Sequence, residues 1–148
     1  MHLHWTGNQG EGTANYRAYS RDHEVHVPGK PMIPASSDPS FRGDPTRYNP
    51  EELLVASLSG CHMLWYLHLC SVNGIVVAGY EDHSIGSMIE ATDGSGQFEY
   101  VVLRPKVHIT DPSRIEDARK LHGEASKMCF IARSVNFPVR HEPEMIAS

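Results

Sequence analysis

The sequence has 148 residues, 40% of them hydrophobic and 8% aromatic, with 13 basic and 18 acidic side chains for a formal net charge of -5. That length suits a single domain over residues 1–148 with its own core, and the absence of any Lys/Arg cluster leaves nucleic acid without an electrostatic footprint. No run of 18 apolar residues occurs and Met1-His2-Leu3-His4-Trp5-Thr6-Gly7 lacks the character of a secretory signal, so a cytoplasmic chain with no membrane partner is expected.

Three cysteines in such a chain read as reduced thiols rather than a disulfide framework. Ten histidines are scattered along it, and no HExxH, CxxC or C2H2 spacing is present, so neither metal nor cofactor is expected. In chain order, Tyr16, Ala18 and Ser20 alternate with Arg17, Tyr19 and Arg21, and Val25 and Val27 continue the period, which predicts strands. Pro28-Gly29-Lys30-Pro31 is a turn before a short strand at Met32-Ile33. Residues 34–49, dense in Pro, Ser, Asp, Gly and Arg, read as a long ordered loop.

Asn49-Pro50-Glu51-Glu52 is a strong helix start: an Asn N-cap, Pro at the first position, acids at the positive end of the dipole and Glu52 at the capping-box position. The helix should run to about Val72 and stop at Asn73-Gly74. Its apolar residues point nearly all round, which predicts burial on most sides. A domain this small struggles to surround roughly 35 Å of helix, so a second subunit is expected to cover part of it. Strands over about 75–91 and 97–109 follow, joined by the hairpin loop Asp93-Gly94-Ser95-Gly96. Ser113-Arg114-Ile115-Glu116 reads as a capping box opening a second helix, with a stripe of Ile115, Ala118, Leu121 or His122, Ala125 and Met128 or Cys129. A last strand is expected near 134–140. The fold class is α+β.

Cys61 falls in the middle of the long helix and Cys129 at the end of the second, while Cys70, nine residues after Cys61, faces the opposite side of its helix. All three are compatible with small buried hydrophobes. A second reading pairs Cys61 with Cys129 and leaves Cys70 structural.

Asn49-Pro50-Glu51-Glu52-Leu53-Leu54 followed by Ser59-Gly60-Cys61-His62 resembles the signature of the OsmC/Ohr superfamily, the osmotically inducible and organic hydroperoxide resistance proteins. Lys127-Met128-Cys129-Phe130-Ile131 resembles that family's second cysteine motif. The resemblance implies an intertwined homodimer with long helices at its centre. It implies reduction of organic hydroperoxides by a thiolate at Cys61, resolved by a disulfide to Cys129 and recycled by a dithiol such as a dihydrolipoyl group. Glu51 matches the family's acidic partner. Arg21 stands where one branch carries its arginine; the other branch carries it in the long loop, where Arg42 is the substitute. Without the resemblance, Glu51 is a helix-dipole residue and either arginine a solvated surface group.

The chemistry needs a cation. The thiolate is the nucleophile, a free Cys has a pKa of about 8.5, and Cys61 lies too deep in its helix for the dipole to help. A guanidinium stays protonated and donates to peroxide oxygens as well, and a carboxylate can hold it in place. Leu58, Leu64 and Trp65, three or four positions from Cys61, would form an apolar wall for an alkyl group. His62 and His122 fit buried imidazoles singly, or a thiol–imidazole site with Cys61. They motivate a Cys–His acyl-transfer or hydrolase activity as an alternative, beside a non-catalytic binding protein for a small apolar ligand. His2 and His4 share a strand face.

Overall fold

A computed structural model describes residues 1–147, which form two units, Met1–Leu54 and a second from Val55 onward. In the first unit, β1 (His2–Trp5), β2 (His23–His26) and β3 (Ile33–Ala35) make an antiparallel sheet in the order β1-β2-β3. The turn between β2 and β3 closes with Lys30 N–H donating to the Val27 carbonyl at 3.0 Å, and Gly29 supplies a φ of 76°.

The alternation over Tyr16–Arg21 does not form a strand. This segment is a run of turns, with an isolated bridge between Asn8 and Tyr19 as its only ladder contact among the described residues. The reason lies in the side chains: Asn15 Oδ1 accepts from Arg17 N–H at 2.9 Å, and the Arg21 guanidinium takes the carbonyls of Tyr19 and Tyr16 at 2.7 and 2.9 Å. Local side-chain bonds of this kind compete with a ladder.

The long loop is ordered from within. Buried Ser36 donates its N–H to the Tyr48 carbonyl at 2.9 Å and its hydroxyl to Asp22 at 3.0 Å, and accepts from Asp44 N–H at 3.1 Å. The loop ends in the predicted cap: Glu52 N–H donates to Asn49 Oδ1 at 2.8 Å, and Asn49 N–H donates back to Glu52 Oε2 at 3.0 Å.

From that cap runs α1 (Pro50–Val72), with the bounds the sequence predicts. It closes in a Schellman arrangement, Ile75 N–H to Cys70 O at 2.9 Å and Gly74 N–H to Ser71 O at 3.1 Å, with Gly74 at a φ of 68°. Within this one chain α1 is covered along a single stripe. Leu58, His62, Tyr66 and Cys70, spaced by four, are buried, whereas Leu64 and Val72 remain about two-thirds exposed, at 65% and 64%. By length and composition alone α1 could cross a membrane, but its buried stripe is spent against its own unit.

The two long strands of the sequence reading are each broken in two. The second unit contains β4 (Val77–Asp82), β5 (Ile85–Glu90), β6 (Gly96–Leu103), β7 (Pro105–Ile109), α2 (Ile115–Met128), β8 (Val139–His141) and β9 (Glu144–Ala147). They form two sheets, β4-β7-β9 and β5-β6-β8, so the chain changes sheet after Asp82 and again at Arg104. Asp82 makes the double corner: its carboxylate accepts from Arg104 N–H at 2.7 Å and from the Ser84 hydroxyl at 2.7 Å. Pro105 then has no N–H to continue the ladder.

Cap chemistry at α2 also differs from the prediction. Asp111 accepts from Ser113 N–H at 2.9 Å and opens a short 3-10 turn, Pro112–Arg114, and α2 follows without a side-chain cap. The last strand is shorter than predicted and β9 follows it. The architecture is α+β as expected. Its core joins Tyr66, Cys70 and Ile75, Val107 and Ile109 of β7, and Ala118 and Ala125 of α2.

Candidate active site

Two residue pairs link α1 to α2 inside the second unit. Cys129 is the residue on which α2 ends, with extended backbone (φ -68°, ψ 110°), so its side chain leaves the helix toward Cys61. Its thiol hydrogen-bonds Cys61, and its sulfur accepts from Ala132 N–H at 3.4 Å. Cys129 is 1% exposed, whereas Cys61 is only half-buried, so a reagent from solvent meets Cys61 first. Burial, then the hydrogen bond to Cys61, pushes the Cys129 thiol up to about 11. Cys129 is therefore the partner that keeps its proton at neutral pH. Cys70 takes no part: it is buried in the apolar core next to the Tyr66 hydroxyl, and burial raises its pKa.

The second pair is His62 and His122. His62 Nε2 lies 3.0 Å from His122 Nδ1, with ring centres 5.3 Å apart and ring planes within 9°. Those values together describe rings in one plane, each nitrogen on the line between the centres: a straight N–H···N bond. Such a bond needs one donor and one acceptor, so at least one imidazole must be neutral. Burial, followed by the neighbouring His141, lowers His62 to about 4; burial, then His62, His141 and Arg119, lowers His122 to about 3. Tyr66 lies face to face on His122 at 3.9 Å, and His141 of β8 stands 5.6 Å from His62. Among the described residues His122 Nε2 is buried without a partner. The Ser59 hydroxyl donates to Asp82 at 2.5 Å, tying α1 to β4 one turn ahead of the pair.

In place of the alternative thiol–imidazole site the structure has two separate pairs, thiol with thiol and imidazole with imidazole. Of the expected apolar wall, Leu58 is buried, Trp65 is half-buried against Phe130 with ring centres 5.9 Å apart, and Leu64 faces outward. Sequence reasoning passed over His141, Asp82 and Tyr66. Tyr66 was legible as the residue one turn after His62 on the buried stripe; His141 and Asp82 arrive from strands whose breaks were not foreseen. Among the described residues no group of three or more His, Cys, Asp or Glu is arranged to hold a metal ion.

In the first unit, Arg21 is held firmly. Besides its two carbonyl bonds, its guanidinium lies 4.2 Å from the centres of both the Tyr16 and the Tyr19 rings. Arg42 is exposed, at the left-handed end of a 3-10 turn with φ 66°. Glu51 is half-buried in the first turn of α1.

The family of OsmC-like proteins matches residues 43–144. An OsmC-like protein of unknown function from Vibrio cholerae O1 biovar eltor is 31% identical, with 96% of each chain covered and a TM-score of 0.84. An organic hydroperoxide resistance protein from Legionella pneumophila is 20% identical over 85% of this chain and 90% of its own, with a TM-score of 0.67. That of Bacillus subtilis is 20% identical over 84% and 96%, with a TM-score of 0.54. No curated protein matches the chain. The family match over most of the sequence, and a relative that parallels it almost from end to end, make the sequence resemblance good: this chain belongs to the OsmC/Ohr superfamily.

Proposed function

We propose that this protein is a thiol peroxidase for organic hydroperoxides. The observation that carries the reading is the hydrogen bond between the half-buried Cys61 and the buried Cys129. Two thiols in contact, one of them reachable from solvent, are what a two-step dithiol reduction requires. The Cys61 thiolate attacks the outer oxygen of ROOH, the O–O bond breaks, and the alkoxide leaves as ROH with one proton. The Cys61 sulfenic acid then condenses with Cys129, releasing water and forming the disulfide. A dithiol reductant, a dihydrolipoyl group by family analogy, restores both thiols. Free thiols fit the reducing cytoplasm.

Several further features support this assignment. The matched structures include proteins named for organic hydroperoxide resistance. Exposed Phe130 and half-buried Trp65 give an alkyl substituent an apolar neighbourhood beside the thiols. Arg21 is the assigned activating cation and Glu51 its acidic partner. A Cys–His hydrolase is less well supported, because each ring of the histidine pair points its bonded nitrogen at the other.

Thiol titration before and after one equivalent of cumene hydroperoxide tests the reading. Wild type should lose two thiols per chain, with peptide mapping placing Cys61 and Cys129 in the bridge and Cys70 free. Cys129→Ser should consume peroxide once and accumulate sulfenic or sulfinic acid, and Cys61→Ser should consume none. Unchanged thiols in the wild type, or Cys70 in the bridge, would overturn it.

A further inference from the structure

The seam between α1 and α2 is built from repeating small steps. On α1, Leu58, His62, Tyr66 and Cys70 recur every four residues; on α2, Ala118, His122, Ala125 and finally Cys129 recur every three or four. Ridges of that kind fit each other in more than one register. Sliding one helix by a turn, about 5.4 Å, brings another small or apolar residue opposite, and hydrophobic burial has no direction with which to object. The sulfurs tolerate no such slide, because a disulfide needs its two Cα atoms within about 7 Å.

Beside the thiol–thiol hydrogen bond itself and the exposed bond from the Arg114 guanidinium to the Asn73 carbonyl at 3.3 Å, a buried directional contact on this seam distinguishes the registers. The straight, coplanar bond from His62 Nε2 to His122 Nδ1 can be made only when those two turns face each other. His62 is the residue after Cys61, and His122 lies two turns before Cys129 on the same face of α2. Slipping the helices would leave two buried imidazoles, 2% and 0% exposed, without their partner.

We propose that the His62–His122 hydrogen bond is a register lock that keeps Cys61 and Cys129 within disulfide distance, which makes both histidines positioning residues for the closure step. This rests on the dithiol reading above. It assigns the pair no part in the attack on peroxide. The groups facing the lock are His141 from β8, Asp82 from the end of β4, Tyr66 on α1 and Arg119 on α2. The lowered pKa values of the two rings keep the lock neutral throughout the physiological range.

The test begins with wild type labelled with 15N-histidine, where a scalar coupling between the two bonded ring nitrogens should be visible across the hydrogen bond. Disulfide closure is then timed with two oxidants: cumene hydroperoxide, and diamide, an azo compound that takes two electrons and two protons from a thiol pair. His122→Ala and the volume-filling His122→Phe should slow closure with both oxidants by tenfold or more, up to about a hundredfold. With the hydroperoxide, the Cys61 sulfenic acid should form at the wild-type rate and, its closure slowed, be trapped by dimedone in larger yield than in wild type. His122→Asn, which keeps an acceptor for His62, should recover most of the loss.

Folded His122→Ala or His122→Phe closing as fast as wild type would overturn the lock, as would the absence of coupling in the wild type. Should both truncations fail to fold, the wild-type coupling still decides. A wild type inert to hydroperoxide but dependent on His122 for closure by diamide would remove the peroxidase reading and leave the lock standing.

Discussion

At the scale of single residues, the arginine question is the sharpest. Arg21 is fixed by two carbonyls and two tyrosine rings before any thiolate is present, whereas Arg42 is exposed. A cation that is already ordered loses little entropy on meeting an anion. Arg21→Ala should therefore slow the reaction of Cys61 with hydroperoxide by about 10²-fold, the usual weight of one charge-stabilising donor. Stopped-flow kinetics would measure this, and a crippled Arg42→Ala beside a normal Arg21→Ala would move the role to the loop. The histidines make a different prediction. His62 and His122 titrate near 4 and 3 in the folded chain against 6.5 unfolded. The unfolded state thus binds more protons below pH 6.5, and the stability the neutral rings contribute is complete above that pH and is lost as the pH falls. Asp38, Asp44, Asp93 and Asp111, lowered from 3.8 mainly by hydroxyl bonds, act only below that window. Chemical denaturation between pH 6.5 and 4 should therefore show a decline of a few kcal/mol, and His122→Phe should flatten it. A slope unchanged in that variant would assign the acid sensitivity elsewhere.

At the scale of elements, legibility followed the locality of the forces. Both ends of α1 were readable because their chemistry lies within a few residues: the reciprocal Asn49–Glu52 bonds at one end, Gly74 and the Cys70–Ile75 bond at the other. Asn49→Ala should cost about 1 kcal/mol by removing the acceptor for Glu52 N–H. Gly74→Ala should cost a similar amount, about 1 kcal/mol, since its φ is left-handed. Thermal or urea unfolding would check each, and a neutral Asn49→Ala would mean that the box forms without contributing. Where the controlling contact is distant, the pattern misled. Residues 75–109 alternate as two long strands, but the carboxylate of Asp82 reaches Arg104, 22 residues on, and turns both into sheet-changing corners. Tyr16–Arg21 alternates as well, and no partner strand takes it up. The direct bond between the histidines was not legible for the same reason: the sequence named His62 and His122 together, but they are 60 residues apart, and only the packing of two helices pairs them with each other rather than with Cys61.

At the scale of the whole molecule, what remains is the surface that the chain does not cover. Leu64, Val72, Val76 and Phe130 are 62–66% exposed, a concentration of large apolar side chains on and around α1 and the end of α2. The sequence announced this surplus: a helix apolar nearly all round, in a domain too small to surround it, was the ground for expecting a second subunit over part of that surface. A homodimer through this face is the proposed occupant, and it bears on the chemistry. Glu51 and Cys61 are ten residues apart on α1, about 15 Å of rise, which is beyond the reach of a carboxylate within one chain. Two such helices packed antiparallel would bring Glu51 of one protomer to the level of Cys61 in its partner. Subunits carrying Glu51→Ala can then be mixed with subunits carrying Cys61→Ser. Each kind alone should be impaired: the first lacks the acid at both sites, the second both nucleophiles. In the mixed dimer one site joins an intact Cys61 to an intact Glu51 and the other lacks its nucleophile, so half the sites should turn over at the wild-type rate. Were Glu51 to serve the Cys61 of its own chain, neither site would be whole. Mixed dimers no more active than the Glu51→Ala homodimer, or a folded monomer in sedimentation at micromolar concentration, would rule out the shared site.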